Sequence, residues 1–453
     1  MADSIKTVTI EKLVQGGRGL VRQEGKVLLV RGAIPGETVS LVEGAKHKGV
    51  QEARVGKVLV ASPDRVAAPC PVYEQCGGCQ LQHLGYEAQL VQKRAILQET
   101  LARVGKVTVD DLPPVIPSPD PYGYRSTVRF MVFRPVKEQK KAQERGPGQE
   151  KGPEKEQGQG NRLALGFHRE GSHEPVPAAG CLLASEPMRK TAAVIEARLA
   201  KGKRLSLHLE SVEIRYSLSS GSLLLIHHTG PAKPDEAQAV FELFQDMPKL
   251  VGQVLVAQNG KRWVQGQDWI EDRLDEVTFR ISDRSFMQTN WRLAEVLSKT
   301  IAGWLGPLEG VRVLELYAGI GMLGLPLARA GALVTEVEAN EAALADCRHA
   351  AKVNHIGRCR FRPLTAEAML AEAQPGEYDL VLMDPPRTGL SSDCVQELLR
   401  VGPGRLLYLS CDPATLARDL GRLAGGGYKV ARLQAFDMFP QTAHIETLVE
   451  LAR

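Results

Sequence analysis

The sequence predicts a multidomain α/β protein with a small β-barrel over residues 1–62, a central α+β domain over 63–280 and a doubly wound parallel sheet over 281–453. Three observations support this fold class. The chain has 453 residues, more than one hydrophobic core usually serves. Its amino-terminal residues carry short apolar runs between glycines, whereas the residues after 281 alternate apolar runs with helical patterns.

Composition narrows the class of protein. Hydrophobic residues make up 43% of the chain, without a run of about 18 apolar residues or a basic-then-apolar amino terminus. We therefore predict no membrane span and no secretory signal, and expect a cytoplasmic protein. Residues 1–60 hold ten Lys and Arg against six Asp and Glu. This excess favours binding to a polyanion, although an ordinary solvated surface has a similar composition.

The amino-terminal part reads as five short strands, with runs at Lys6–Ile10, Lys26–Val30, Val39–Val42 and Arg54–Val60 and glycine turns that include Gly16-Gly17-Arg18-Gly19. Short strands with glycine-rich connections indicate a small barrel of oligonucleotide-binding type. Such a barrel is a common accessory domain and does not identify a function by itself.

Three cysteines follow within ten residues, at Cys70, Cys76 and Cys79, and the glycine pair between the last two allows a tight turn. Eight cysteines are too few for a disulfide framework in this chain, so metal or catalytic roles are favoured. The grouping predicts a metal or iron-sulfur site, with Cys181 as the natural fourth ligand. Zinc would satisfy the same sulfurs, and the spacing alone leaves both open.

The central part continues with a helical pattern over Leu84–Val104 and a half-buried strand over Tyr124–Phe133. The arginines of that strand could contact phosphates or form a solvated face. Residues 137–161 are almost entirely Lys, Glu, Gln, Gly and Pro, which predicts a disordered insertion. His227 and His228 have no ligand-type neighbours at metal spacing, and we interpret them as structural.

Five apolar runs between helical patterns predict the parallel sheet of the carboxyl-terminal part: Val311–Leu316, Leu333–Val337, Cys359–Leu364, Tyr378–Met383 and Arg405–Ser410. Lys429–Phe439 and Thr447–Leu451 follow closely enough to form a terminal antiparallel hairpin. Cys347, Cys359 and Cys394 are predicted core residues.

Ligands bind beyond the carboxyl ends of the strands in such a sheet, and distinctive residues cluster there. A G-x-G-x-x-G pattern spans Gly319–Gly324 after the first strand, and Glu338 ends the second strand, where a carboxylate suits a ribose diol. Nicotinamide dinucleotides and S-adenosylmethionine both fit this pattern. The fourth strand ends in the rigid corner Asp384-Pro385-Pro386, which beside an adenosine site is typical of methyltransferases. Amine-methylating enzymes carry an aromatic residue next, where this chain has Arg387.

The fifth strand ends at Cys411, and an Asp-Pro turn then opens a helix. Partial exposure near helix-terminal amides favours thiolate over thiol, so Cys411 is a candidate nucleophile, although a free cysteine is often a small buried hydrophobe. Glu446 precedes the last strand. Thiolate addition to carbon 6 of a pyrimidine makes carbon 5 able to accept a methyl group, and a carboxylate can then remove the carbon 5 proton.

These residues together resemble the RNA uracil-5 methyltransferases that use S-adenosylmethionine, and the resemblance covers nearly the whole chain. The matching features are a TRAM-like barrel, the four-cysteine pattern, Ser285–Asn290, the glycine loop, Asp384–Arg387, Ser410–Pro413 and Asp437–Glu446. The resemblance implies that Cys411 is the nucleophile and Glu446 the base. It further implies that Cys70, Cys76, Cys79 and Cys181 hold a [4Fe-4S] cluster, and that the methyl donor is bound by Gln288, Tyr317, Gly319, Gly321, Glu338, Thr365 and Asp384.

Three positions depart from the family pattern: Glu315 stands for the more usual Asp, Met322 for Asn, and Thr365 for Asn or Asp. The barrel together with the cluster resembles the enzymes that modify large-subunit (23S) ribosomal RNA, so this RNA is the predicted substrate, with transfer RNA as the alternative. The target uridine is expected in a loop or extruded from one. We predict no obligate protein partner and a monomer.

Three other functions would explain some of these features. A nicotinamide-dependent iron-sulfur oxidoreductase would explain the glycine loop and the cysteines, but would give no role to Cys411 and Glu446. A non-catalytic RNA-binding protein would retain the fold without activity. A cytosine-5 methyltransferase would need a second cysteine at the site, and Cys394 lies in a helical stretch instead.

Overall fold

The computed structural model describes residues 7–23, 25–47, 49–109, 111–134, 163–201 and 209–453. The insertion predicted at 137–161 lies outside these residues. The described chain is a mixed α/β protein with three large sheets and one two-stranded sheet, which confirms the predicted class at that level. No helix in these ranges is long and apolar enough to cross a membrane.

The amino-terminal sheet has six strands in the order β1-β5-β6-β4-β3-β2. They are β1 (Thr7–Thr9), β2 (Lys12–Val14), β3 (Arg18–Gln23), β4 (Lys26–Arg31), β5 (Thr38–His47) and β6 (Val50–Val60). The prediction of five strands was wrong, because a three-residue strand such as β2 is too short to show an alternating pattern. The expected turn residues Arg18 and Gly19 lie within β3, where they pair with Val14 and Leu13. A closed barrel stays a prediction.

The central sheet has seven strands in the order β13-β12-β11-β10-β7-β8-β9. They are β7 (Thr127–Phe133), β8 (Ala164–His168), β9 (Pro175–Pro177), β10 (Leu209–Tyr216), β11 (Leu223–Thr229), β12 (Leu250–Ala257) and β13 (Arg262–Gly266). The helices α2 (Glu186–Lys201) and α3 (Pro234–Phe244) pack on it around Phe130 and Phe244. His227 is buried and its Nε2 lies 3.1 Å from Gln253 Oε1. A structural role for His227 and His228 stays a prediction.

The carboxyl-terminal sheet has the order β18-β17-β16-β19-β20-β22-β21. Its strands are β16 (Arg312–Leu316), β17 (Leu333–Val337), β18 (Cys359–Arg362), β19 (Leu380–Met383), β20 (Arg405–Ser410), β21 (Lys429–Phe436) and β22 (Glu446–Ala452). The first five are parallel and the last two form the predicted antiparallel hairpin. The strand order reverses between β16 and β19, the point where ligands bind in open α/β sheets.

Six helices accompany this sheet within the described chain: α4 (Trp291–Leu305), α5 (Gly324–Arg329), α6 (Glu341–Val353), α7 (Ala366–Glu372), α8 (Ser392–Val401) and α9 (Pro413–Gly425). The hairpin of β14 (Trp269–Leu274) and β15 (Val277–Ser282) packs against α6. Cys347 and Cys394 are fully buried, as predicted, whereas Cys359 is only half-buried because β18 is the edge strand of the sheet.

The helix α1 (Tyr86–Thr100) continues into a π-helical turn at Leu101–Gly105, and together they match the predicted helical stretch Leu84–Val104 except at its first two residues. It shares a hydrophobic core with the carboxyl-terminal sheet, in which Leu97 and Leu101 are buried together with Val449. Ile116 then forms a parallel bridge with Phe436 beside β21. Early segments of the chain therefore complete the core of its last part.

Candidate active site

The glycine loop follows β16 and bends through three residues with positive φ: Tyr317 (61°), Gly319 (57°) and Gly321 (78°). The Gly319 N–H donates a 2.9 Å hydrogen bond to Glu338 Oε2, and the Asn340 N–H donates one of 2.7 Å to Oε1. The carboxylate at the end of β17 is thus held against the loop. Gly321 cannot carry a side chain, because a Cβ there would collide with the Cys347 thiol.

A pair of carboxyl groups lies beneath this loop. Glu315 and Glu336 face each other in register on β16 and β17, and both are buried. Burial raises the pKa of Glu336 to about 7, and burial next to Glu336 raises the pKa of Glu315 well above its usual range. A Cβ on Gly324 would collide with both carboxyl groups. Glu315, which departs from the family pattern, therefore supports the loop from below.

Asp384 follows β19 and is partly exposed at the same edge. Loss of hydration raises the pKa of its carboxyl group to about 7. Arg387, three residues later, is exposed, and its backbone carbonyl accepts a 3.1 Å hydrogen bond from Thr415 Oγ1 on α9. The rigid corner is therefore attached to the helix that begins just after Cys411.

Cys411 is half-buried between β20 and α9. Asp412 caps the helix, since its Oδ1 accepts hydrogen bonds from the N–H groups of Ala414 (3.0 Å) and Thr415 (2.9 Å). Burial, together with the carboxyl groups of Glu446 and Asp384, raises the pKa of the Cys411 thiol to about 11, although Arg387 opposes this shift. The expectation of a favoured thiolate was wrong for the free protein, because burial and two carboxyl groups outweigh the helix terminus.

Glu446 is the first residue of β22 and is 3% exposed. Ser410 pairs with Thr447 in the antiparallel ladder, so Cys411 and Glu446 occupy the next facing positions. Burial and the Asp384 carboxyl group raise the pKa of Glu446 well above its usual range, and Arg387 lowers it. Its Oε1 accepts no hydrogen bond from the residues that the structure describes. A thiol, two carboxyl groups and a guanidinium thus share one site.

The remaining predicted donor contacts have different surroundings. The side chain of Gln288 is buried, and its backbone carbonyl accepts a 3.3 Å hydrogen bond from Ser126 Oγ. Thr365 caps α7, where its Oγ1 accepts a 3.2 Å bond from the Ala368 N–H. The Tyr317 hydroxyl lies beside the thiol of Cys394, and burial raises its pKa. Cys394 is therefore a buried neighbour of the glycine loop.

The four cysteines of the predicted metal site line a single cavity of about 370 Å³, together with Arg125. Burial raises the pKa of the Cys79 thiol to about 12. Within the described ranges no three His, Cys, Asp or Glu side chains converge closely enough to hold one metal ion. Arg125 precedes β7 and faces this cavity, whereas Arg129 forms a 2.7 Å ion pair with Glu213, so the two arginines do not form one phosphate-binding face.

Sequence reasoning missed a buried ion pair behind the site. Lys93 on α1 is 1% exposed and pairs with Asp437, whose side chain is 0% exposed, and its Nζ donates a 3.2 Å bond to the Phe439 carbonyl. The available signal was a lysine on the apolar face of the helical pattern, between Leu90 and Leu97. This pair anchors the start of the segment that leads to Glu446.

The amino-acid sequence matches one protein family and is similar to RNA methyltransferases over nearly its whole length. The family described as tRNA (Uracil-5-)-methyltransferase matches residues 170–453. An uncharacterized RNA methyltransferase of Aquifex aeolicus is 34% identical, with 100% of this chain and 99% of the relative covered. The 23S rRNA (uracil(1939)-C(5))-methyltransferase RlmD of Pseudomonas putida is 32% identical, with 97% of this chain and 92% of the relative covered.

One solved structure shares the fold over the whole chain. The tRNA (uracil-54, C5)-methyltransferase of Pyrococcus abyssi, in complex with S-adenosyl-L-homocysteine, superimposes with a TM-score of 0.74. It is 24% identical, and the alignment covers 99% of this chain and 100% of that one.

Proposed function

We propose that this chain methylates carbon 5 of a specific uridine in 23S ribosomal RNA. It belongs to the tRNA (uracil-5-)-methyltransferase family and is an S-adenosylmethionine-dependent RNA (uracil-5-)-methyltransferase. In this proposal Cys411 is the nucleophile and Glu446 the base. The observation that carries it is the position of Cys411 directly after β20 and of Glu446 at the start of β22, each one residue beyond the paired Ser410 and Thr447 and beside Asp384 and Arg387.

The reaction needs two bonds to form and two to break on the uracil ring. The Cys411 thiolate adds to carbon 6, and the electron pair of the double bond moves towards carbon 5. Carbon 5 takes the methyl group from the sulfonium, and S-adenosylhomocysteine is released. Glu446 accepts the proton from carbon 5, and the electrons of that bond restore the double bond as the carbon 6–sulfur bond breaks. The products are 5-methyluridine and free enzyme.

Arg387 has a defined electrostatic role in this scheme. Its guanidinium charge lowers the pKa of the Cys411 thiol and so opposes the two carboxyl groups. A raised pKa also makes Glu446 a stronger base for the carbon 5 proton. The raised pKa values of the Cys411 thiol and of Glu446 both favour turnover at alkaline pH, where the two groups have lost their protons, whereas Arg387 extends turnover towards lower pH.

The methyl donor would lie at the switch point between β16 and β19. We assign its contacts to the buried Gln288, to Tyr317, Gly319 and Gly321 of the glycine loop, to Thr365, and to the carboxyl groups of Glu338 and Asp384. Glu338 would accept hydrogen bonds from the ribose hydroxyls, since each carboxylate oxygen has a lone pair beyond those used by Gly319 and Asn340.

The cysteine cavity fits an iron-sulfur cluster better than a single ion. All four donors are thiols, as such clusters require, and the cavity of about 370 Å³ has room for a group larger than one atom. We assign a [4Fe-4S] cluster to Cys70, Cys76, Cys79 and Cys181. Methyl transfer consumes no electron, so the role of the cluster would be structural, as a cross-link between two loops.

The domain limits and the substrate belong to the same proposal. Residues 1–62 would be a TRAM-like barrel that binds RNA, residues 63–280 the cluster domain and residues 281–453 the catalytic domain, in a cytoplasmic monomer. The Pseudomonas putida relative, named for 23S rRNA, is aligned over 97% of this chain, which favours ribosomal RNA. The Pyrococcus abyssi fold neighbour is named for tRNA, which makes tRNA the second candidate.

The test is mass spectrometry of digested ribosomal and transfer RNA from cells that lack the gene. Loss of 5-methyluridine from large-subunit RNA alone is the expected result, and a plasmid copy should restore it whereas a Cys411→Ala copy should not. Loss of 5-methyluridine from transfer RNA alone would overturn the assignment of ribosomal RNA as the substrate. Unchanged 5-methyluridine in both RNAs would overturn the proposed function.

A further inference from the structure

We propose that the four-cysteine site positions the catalytic base, because it holds in place the segment Asp437–Glu446, here called the base loop. Gln80 is the main positioning residue in this coupling. The inference rests on the proposed function, since it assigns a role to the cluster within that reaction. It is carried by two independent sets of hydrogen bonds, one from each loop that supplies cysteines.

The first set starts next to Cys79. The backbone N–H groups of Gln80 and Leu81 both donate to the carbonyl oxygen of Gln441, at 3.1 and 3.0 Å. The side chain of Gln80 accepts a 3.2 Å bond from the Ala443 N–H and donates a 3.0 Å bond to the carbonyl of Gly77. The cysteine loop and the base loop are therefore joined by three hydrogen bonds within two residues of Cys79.

The second set starts next to Cys181. The segment Gly123–Ser126 runs beside the residues that follow Cys181, with a 2.9 Å bond from the Gly123 N–H to the carbonyl of Leu182. Within this segment the buried Tyr124 hydroxyl donates to the carbonyl of Pro440 at 3.3 Å, and Ser126 Oγ donates to the carbonyl of Gln288. The second cysteine loop thus reaches both the base loop and a predicted donor contact.

The base loop requires such external support. Gln441 has a φ of 68°, a left-handed conformation that is unfavourable for a residue with a side chain. Its backbone and side chain are held by Gln80, Leu81 and the buried Gln89. A cluster bound to Cys79 and Cys181 would fix the two sets of donors relative to each other, and Glu446 would then keep its position opposite Cys411.

The first experiment compares variants of the full-length holoenzyme. Gln80→Met keeps the side-chain length but removes the acceptor for Ala443. It also removes the donor to Gly77, a bond that Gln80→Glu loses too. We expect unchanged iron and sulfide per chain, and a rise of about three- to tenfold in the steady-state fraction of covalent enzyme–RNA adduct, because loss of the bond to the base loop slows removal of the carbon 5 proton. Gln80→Glu keeps the acceptor and should stay within about twofold of the wild type.

Gln75→Met is the matched control, since Gln75 is an exposed glutamine next to Cys76. It should change neither the cluster content nor the adduct fraction. An adduct fraction in Gln80→Met equal to that of the control, with the cluster fully loaded, would overturn the positioning role of Gln80.

The second experiment measures amide hydrogen exchange in the wild-type protein before and after the iron is removed with a chelator. Exchange at Gln80, Leu81 and Ala443 should speed up at least about tenfold on removal, whereas amides of the amino-terminal sheet should not change. Equal exchange in both forms, or a protein purified without oxygen that contains no iron, would overturn the inference. This readout does not depend on methylation, so failure of the proposed function would be seen separately, as absence of any 5-methyluridine.

Discussion

The buried pair of Lys93 and Asp437 gives the sharpest energetic prediction. Lys93→Met would leave the Asp437 carboxyl group buried at 0% exposure without its ammonium partner. An uncompensated charge in such a position costs about 3–5 kcal/mol, whereas loss of a surface pair costs at most about 1 kcal/mol. We therefore expect the free energy of unfolding of the carboxyl-terminal domain to fall by about 3–5 kcal/mol.

The double variant Lys93→Met with Asp437→Asn is the control, because it removes both charges. It should recover about half of the lost stability or more, since removal of a whole buried pair is often nearly neutral. Urea unfolding would be followed by the fluorescence of Trp291, which is 3% exposed in the core of this domain. A loss below about 1 kcal/mol in the single variant, or a double variant with the summed cost of both single changes, would refute the reasoning.

Four further results follow from the active site. Cys411→Ala should abolish both methylation and the covalent adduct on a denaturing gel; residual methylation would show that another group attacks the ring. Glu446→Gln should permit methyl transfer but slow product release by about 10²–10⁴-fold, so that the adduct accumulates, and a fully active variant that releases RNA normally would contradict its role as base. Because the pKa of the Cys411 thiol is raised to about 11, the rate of its alkylation by iodoacetamide should rise about tenfold per pH unit between pH 7 and 10, as measured by mass spectrometry of the Cys411 peptide. Arg387→Gln removes a charge that lowers this pKa, so alkylation should be slower at each pH. An unchanged rate would show that Arg387 does not act on the thiol. Gly321→Ala should weaken S-adenosylmethionine binding at least about tenfold by calorimetry, because the left-handed φ and the Cys347 thiol leave no room for a methyl group, and wild-type affinity would show that the loop adapts.

The sequence was sufficient to predict the location of those site residues that directly follow an apolar run. Cys411 and Asp384 directly follow such runs, and parallel strands bring their carboxyl ends to one edge of a sheet. The position of Glu446 opposite Cys411 could not be predicted, because it depends on the register between β20 and β22.

The features that sequence reasoning missed depend on distant partners. Lys93 and Asp437 are 344 positions apart, and no local pattern joins them. The predicted direction of the Cys411 pKa shift was wrong. The shift is set by burial and by the carboxyl groups of Asp384 and Glu446, which only the folded chain brings together. The strand β2 was missed for a local reason, since three residues carry too little pattern.

The shared core of α1 and the carboxyl-terminal sheet affects the order in which the chain can fold during its synthesis. Leu97 leaves the ribosome long before Val449, which lies in the same core. At about 5–20 residues per second, the roughly 350 residues between them take about 20–70 s to make. Through that interval the apolar face of α1 lacks its native cover, so the nascent chain should depend on chaperones until β22 emerges.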